Sequence, residues 1–185
     1  MRLTVRQIVI AGLMGAISIL LGVTRLGFIE PIPPFAMSAT IMHVPAIIGG
    51  VLEGPVVGLI VGLLFGLFSL LQAPTEAPPA NLWFSNPLVS VLPRLFIGVT
   101  AALVYRALRR TNEYLALTVS GIVGTLTNSV LVVGMIIVLG YAPALVIVPA
   151  VLPNVIAEII IATIVVVAVI AAWKGIEGGR KGSSV

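Results

Sequence analysis

The sequence is dominated by long apolar stretches, which are separated by short polar or proline-rich breaks. A helix needs roughly 20 apolar residues to cross a hydrocarbon core of about 30 Å, and six stretches approach or reach that length. Their breaks contain residues that end helices, such as the glycine and proline of the turn at 52–55. The predicted spans are 4–24, 35–52, 55–72, 87–108, 114–139 and 144–173.

The composition excludes a soluble domain. Apolar residues make up 59% of the 185 residues and charged residues only 9%, whereas about a quarter of a typical globular protein is charged. So little polar surface requires a hydrocarbon solvent around the folded chain. We therefore expect an all-α integral membrane bundle of six transmembrane helices, forming one domain over residues 1–185.

Basic residues predict the orientation of these spans. They collect before the first span, between the fourth and fifth, and after the sixth, as Arg2, Arg6, Arg106, Arg109, Arg110, Lys174, Arg180 and Lys181. Since cytoplasmic loops carry an excess of Lys and Arg, both termini should be cytoplasmic, and the proline-rich loops at 27–34 and 73–87 should face outward. Alternatively the first span is a cleaved signal peptide, but no small-residue cleavage site stands out near its end.

Several kinds of chemistry are absent from the sequence. It contains no cysteine, no aspartate and a single histidine, which excludes a disulfide framework, an aspartyl pair and the usual metal sites. No glycine-rich phosphate loop with its lysine occurs, so the chain cannot hydrolyse ATP in the usual way. The net charge of +4 follows the membrane orientation rather than a nucleic-acid-binding patch. We expect no enzyme activity, no cofactor, no metal and no nucleic-acid partner.

Five polar side chains within the predicted spans are the candidate binding residues. They are His43, Arg94, Asn128, Asn154 and Glu158. Counted at about 1.5 Å per residue, all five lie roughly 10 to 20 Å below the outward ends of their spans. Polar groups at membrane depth need a partner or a function, so their common depth on four helices predicts a shared pocket that opens outward. We expect the loop around Trp83 to cover this pocket.

Each candidate also has a structural alternative. Arg94 and Glu158 could neutralise each other, and the two asparagines could form hydrogen bonds between helices. His43 could be an interior residue whose ring is bonded to a carbonyl. Trp83 could anchor the loop at the membrane interface. The clustering of the candidates, rather than any single residue, favours the pocket.

Small residues recur at four-residue spacing on two spans. Gly58, Gly62 and Gly66 follow one another on the third span, and Ala11 and Gly15 form part of a smooth stripe on the first. Such faces allow helix backbones to approach closely. They predict packing within the bundle or, for the first span, a docking face for another protein.

Residues 40–50, with the sequence TIMHVPAIIGG, resemble the substrate-binding S components of energy-coupling factor (ECF) transporters. The segments GPVVG at 54–58, GLLFG at 62–66 and PRLFIG at 93–98 are also similar, as are Asn154 and Glu158. The resemblance implies a six-helix protein of a bacterial or archaeal cell membrane that captures a small water-soluble vitamin from outside. It also implies a transmembrane coupling subunit and two cytoplasmic ATPases as partners. The family's first helix meets the coupling subunit through Ala-x-x-x-Ala, for which Ala11 and Gly15 are the nearest equivalent here.

The resemblance is greater to the pantothenate type and the hydroxymethylpyrimidine or pyridoxine type than to the folate type. If Arg94 meets the ligand, a carboxylate such as that of pantothenate is favoured; if Glu158 neutralises Arg94, a neutral ring fits as well. We therefore predict pantothenate first. The rival interpretation is a stand-alone secondary transporter or channel that uses Glu158 as a proton site, and a third is a membrane scaffold.

Overall fold

The computed structural model describes residues 3–29 and 39–182, and within these ranges the chain is almost entirely helical. The helices are α1 (Val5–Val23), α2 (Val44–Glu53), α3 (Pro55–Gln72), α4 (Ala80–Phe84), α5 (Pro87–Ser90), α6 (Leu92–Leu108), α7 (Glu113–Val138) and α8 (Ala144–Gly182). A 3-10 turn, Ala73–Thr75, follows α3. Two short strands, β1 (Phe28–Ile29) and β2 (Ala39–Thr40), pair antiparallel beside the outer end of α1.

Five helical segments of the described chain are long and apolar enough to cross a membrane. They are Val5–Val23, Pro55–Thr75, Pro87–Leu108, Glu113–Val138 and Ala144–Gly175. The sixth apolar segment, α2, is shorter, and its residues from Val44 to Val51 are buried among the others. The expected all-α membrane bundle is confirmed, and the chain is a multi-pass membrane protein.

The second predicted span, 35–52, differs most from the structure. Its helix begins only at Val44, because Ala39 and Thr40 pair with the strand that follows α1. Residues 35–38 of this span lie outside the described residues. Pro45 occupies the second helical position, where the missing N–H is not needed for a helical hydrogen bond. The backbone at 39–43 is therefore not part of a helix and can line the interior of the bundle.

Prolines also shape the fourth and sixth predicted spans. The segment 87–108 contains two helices, since Val91 separates α5 from α6 and Pro93 stands in the first turn of α6. This break places Arg94 at the beginning of α6. Helix α8 continues beyond the predicted end at 173 and contains Pro149 and Pro153 without ending there.

Glycines bring α2, α3 and α6 into backbone contact. A Cβ atom added to Gly98 would lie 2.5 Å from the carbonyl oxygen of Ala46 and 2.8 Å from the carbonyl carbon of Gly58. A Cβ atom at Gly62 would overlap the carbonyl oxygen of Arg94. The glycine stripe of α3 therefore packs inside the bundle, as one of the two sequence interpretations proposed. It also fixes the position of the helix that carries Arg94.

The small residues of α1 are divided between two faces. Ala11 is only 4% exposed, and a Cβ atom at Gly15 would meet the Leu64 side chain of α3. The packing thus does not support the docking role predicted for Ala11 and Gly15, because both lie on the covered face of the helix. Gly12 and Ala16 lie on the exposed face.

Candidate functional site

A cavity of about 460 Å³ lies among α3, α6, α7 and α8 and reaches the loops at the predicted outer side. Four of the predicted binding residues line it, and they come from three different helices: Arg94, Asn128, Asn154 and Glu158. On α3, the cavity follows Phe65, Ser69 and Gln72, which share one face of that helix. The predicted meeting of polar side chains from separate helices is therefore present for these four.

Arg94 is a buried cation that makes no direct ion pair with a carboxylate among the described residues. Its side chain is held between two aromatic rings, with the guanidinium carbon 5.5 Å from the centre of the Phe65 ring and 5.0 Å from that of Phe84. One terminal nitrogen donates a hydrogen bond to the carbonyl of Val89, whereas Nε has no acceptor among the described residues. The ring faces and one carbonyl leave other N–H groups of the guanidinium without an acceptor among the described residues, and an anion in the cavity could accept hydrogen bonds from them.

Glu158 is engaged by other donors. Its Oε1 accepts a hydrogen bond of 2.6 Å from the backbone N–H of Thr40, and Ser129 Oγ lies 3.5 Å from Oε2. Among the described residues, no ion pair joins Glu158 directly to Arg94. The alternative in which these two side chains form a salt bridge is therefore not what the structure contains. Glu158 instead ties α8 to β2.

Asn128 and Asn154 occupy neighbouring helices at the cavity. Asn128 is 7% exposed, and its Oδ1 has no hydrogen-bond donor in the described part of the chain. It follows Thr125 on α7 by about one turn, so the two side chains share a face. Asn154 stands one turn before Glu158 on α8 and also lines the cavity. Asn128 therefore offers an acceptor to a ligand N–H or O–H group.

His43 does not line the cavity. It precedes α2, is fully buried, and its Nε2 lies 3.0 Å from Thr125 Oγ1 on α7. This contact agrees with the alternative of an interior histidine, although its partner is a hydroxyl rather than the expected carbonyl. The prediction of direct ligand contact by His43 is not supported. The ring supports the wall behind Asn128 instead.

Trp83 also does not lie at the cavity, where it was predicted. It is 8% exposed and is not among the cavity-lining residues. It packs in an apolar cluster with Val89, Val132, Ile136, Ile147 and Val151, of which Val132 and Val151 also line the cavity. Its neighbour Phe84 lines the cavity and covers the Arg94 guanidinium. Because successive residues of a short helix point in different directions, Phe84 rather than Trp83 reaches the cavity, although both belong to the loop predicted to cover it.

Some lining residues were not identified from the sequence. Arg25, Phe65 and Glu76 all border the cavity. Arg25 was noticeable as the basic residue opposite the cytoplasmic clusters, and Glu76 as the acid of an outer loop. Phe65 gave no signal, since it stands between glycines in a uniformly apolar helix.

Comparisons with known proteins agree with this architecture. A family model described as "ECF transporter, substrate-specific component" matches residues 6–170. The chain is similar to the pantothenic acid transporter PanT of Lactococcus lactis subsp. cremoris, with 28% identity over 164 residues. That alignment covers 78% of this chain and 82% of the relative.

Proposed function

The chain belongs to the substrate-specific components of ECF transporters, and from this premise we propose that it binds pantothenate at the outer side of the membrane. It then delivers the vitamin together with a transmembrane coupling subunit and two cytoplasmic ATPases. The relative at 28% identity, a pantothenic acid transporter, supports this choice of ligand. Family membership also makes the chain a transporter component rather than an enzyme.

The observation that carries the choice of ligand is the state of Arg94. A guanidinium that is 5% exposed, lines a cavity and makes no direct ion pair in the described chain favours an anionic ligand. Charge-assisted hydrogen bonds to a carboxylate are about twice as strong as neutral ones. Hydroxymethylpyrimidine and pyridoxine have no carboxylate to place there. Folate also has carboxylates, so it is compared directly with pantothenate in the titration described below.

The remaining polar residues suit the rest of such a ligand. Asn128 presents to the ligand amide an acceptor that has no donor among the described residues, and Asn154 adds an amide from the neighbouring helix. Glu158 holds Thr40 and so keeps the backbone of β2 at the cavity wall. His43 acts behind Asn128 through Thr125.

Energy for transport comes from partner proteins in this proposal. The sequence has no nucleotide-binding phosphate loop. The rival, a proton-coupled transporter based on Glu158, is less well supported because both carboxylate oxygens face protein donors. A partner that meets α1 from outside the bundle would contact its exposed face, which includes Gly12 and Ala16.

Isothermal titration calorimetry of the purified full chain in detergent tests the ligand. We expect pantothenate to bind with a dissociation constant in the micromolar range or below, and hydroxymethylpyrimidine, pyridoxine and folate to bind much more weakly. Arg94→Gln should weaken pantothenate binding at least about ten-fold, since a charged hydrogen bond contributes about 1.5–3 kcal/mol. Tighter binding of a neutral ring compound, or unchanged affinity in Arg94→Gln, would contradict the assignment.

Uptake of labelled pantothenate separates the proposal from its rival. Cells that express this chain without the coupling subunit and ATPases should accumulate no pantothenate. Uptake that persists in such cells and disappears with the proton gradient would favour the stand-alone transporter.

A further inference from the structure

The outer end of the cavity carries polar side chains that the proposed function has not used. The segment from Gln72 to Ala80 borders this end, and within it Gln72, Thr75 and Glu76 line the cavity. Glu76 Oε1 is shielded from solvent and accepts no hydrogen bond from the described residues. A buried carboxylate oxygen without a donor is unfavourable unless something else supplies one.

The cation that shares this cavity with Glu76 has a different contact. Arg25 also lines the cavity, but its guanidinium lies over the Phe28 ring, 5.8 Å from the ring centre. No ion pair between Arg25 and Glu76 occurs in the part of the chain that the structure describes. Glu76 is thus an acceptor that faces a cavity, and no residue of the described part of the chain donates to its Oε1.

Helix α3 indicates how far apart Glu76 and Arg94 lie along the cavity. Phe65 of this helix contacts Arg94, whereas Gln72 precedes the turn that leads to Glu76. Seven residues of helix correspond to roughly 10 Å, and Ser69 continues the cavity wall between the two ends. The cavity wall therefore extends along α3 from Phe65, which contacts Arg94, to Gln72, four residues before Glu76.

We propose that Glu76 is a ligand-binding residue whose carboxylate accepts hydrogen bonds from hydroxyl groups at the far end of the ligand from its own carboxylate. This inference rests on the proposed function, in which Arg94 binds the ligand carboxylate. An ionised carboxylate is an acceptor only, so it pairs with hydroxyl donors and repels a second anion. A carboxylate at this position also disfavours a pose in which the ligand carboxylate lies beside Glu76.

Calorimetry with two ligands tests the contact. Pantothenate and an analogue in which hydrogen replaces its distal hydroxyl groups are titrated into the full chain and into Glu76→Ala. We expect Glu76→Ala to weaken pantothenate binding at least about ten-fold and to leave the affinity for the analogue unchanged. The matched control is Leu82→Ala, a truncation in the same outer segment at a residue that is 64% exposed and outside the cavity lining. It should change neither affinity.

Three results would overturn the inference. Equal pantothenate affinity in wild type and Glu76→Ala would show that the carboxylate makes no contact. Equal weakening for both ligands would assign the effect to the loop rather than to the hydroxyl groups. Failure of the wild-type chain to bind pantothenate would remove the proposed function itself and the inference with it, and this result is recognised before any variant is compared.

Discussion

Arg94 and Glu158, the two charged side chains predicted within the membrane, have different partners. Arg94 is held by two ring faces and a carbonyl, and Glu158 by a backbone N–H and a hydroxyl. The sequence indicated that both needed compensation, because charges at membrane depth are costly. It could not indicate which atoms provide it, since Thr40 is 118 residues away from Glu158 along the chain.

At the same scale, the His43–Thr125 contact predicts the effect of removing one hydroxyl. Thr125→Val leaves the buried Nε2 of His43 without its partner, so the free energy of unfolding should fall by about 1–3 kcal/mol. Thr127→Val, two residues further on α7, removes a partly buried hydroxyl and should cost less. Thermal unfolding in detergent measures both variants.

Pantothenate affinity of the folded Thr125→Val variant should stay close to that of wild type, because His43 does not line the cavity. A loss of affinity as large as that of Arg94→Gln, without a loss of stability, would return His43 to the binding site.

At the scale of helices and strands, the pattern of small residues and prolines determines how α2, α3 and α6 meet. The four-residue glycine spacing on α3 predicted close packing, and Gly98 on α6 completes the contact. The sequence did not reveal that α2 would be only ten residues long. A uniformly apolar segment gives no signal for where a helix begins, and the pairing of β2 with β1 decided this instead.

Gly98→Ala tests the contact among these three helices. Its Cβ atom would lie 2.5 Å from Ala46 O, so the backbones must separate, and we expect a loss of about 1–3 kcal/mol in unfolding free energy. The matched control is Gly134→Ala in α7, where an added Cβ atom would meet nothing within 4 Å. The control should be neutral or slightly stabilising. Equal stability of the two variants, measured by thermal unfolding, would contradict the packing described.

At the scale of the whole molecule, the two ends of the bundle have different chemistry. Ion pairs Arg6–Glu53 and Lys174–Glu113 join helices on the predicted cytoplasmic side, and Tyr105 donates a hydrogen bond of 2.8 Å to Glu113 there. The cavity lies toward the opposite end. This asymmetry is what a protein that captures its ligand from outside requires.

Because the sequence contains no cysteine, single introduced cysteines can measure the orientation of the chain in the membrane directly. Ser85→Cys and Thr111→Cys each introduce a single thiol at an exposed position, near opposite ends of the bundle. A membrane-impermeant maleimide should label Ser85→Cys in intact cells and Thr111→Cys only after permeabilisation. The reverse pattern would place the cavity on the cytoplasmic side and contradict capture from outside.

The sequence by itself determined the all-α membrane fold, because the lengths of its apolar segments and its scarcity of charge can be compared directly with the thickness of the hydrocarbon core. It also predicted that Arg94, Asn128, Asn154 and Glu158 lie together, since polar groups stand out against apolar spans, and all four line the cavity. Only the tertiary structure decided that His43 lies behind the cavity wall and that Phe84 rather than Trp83 covers Arg94. Whether a side chain faces a cavity depends on how separate helices pack, and neither composition nor residue spacing along one helix determines that packing.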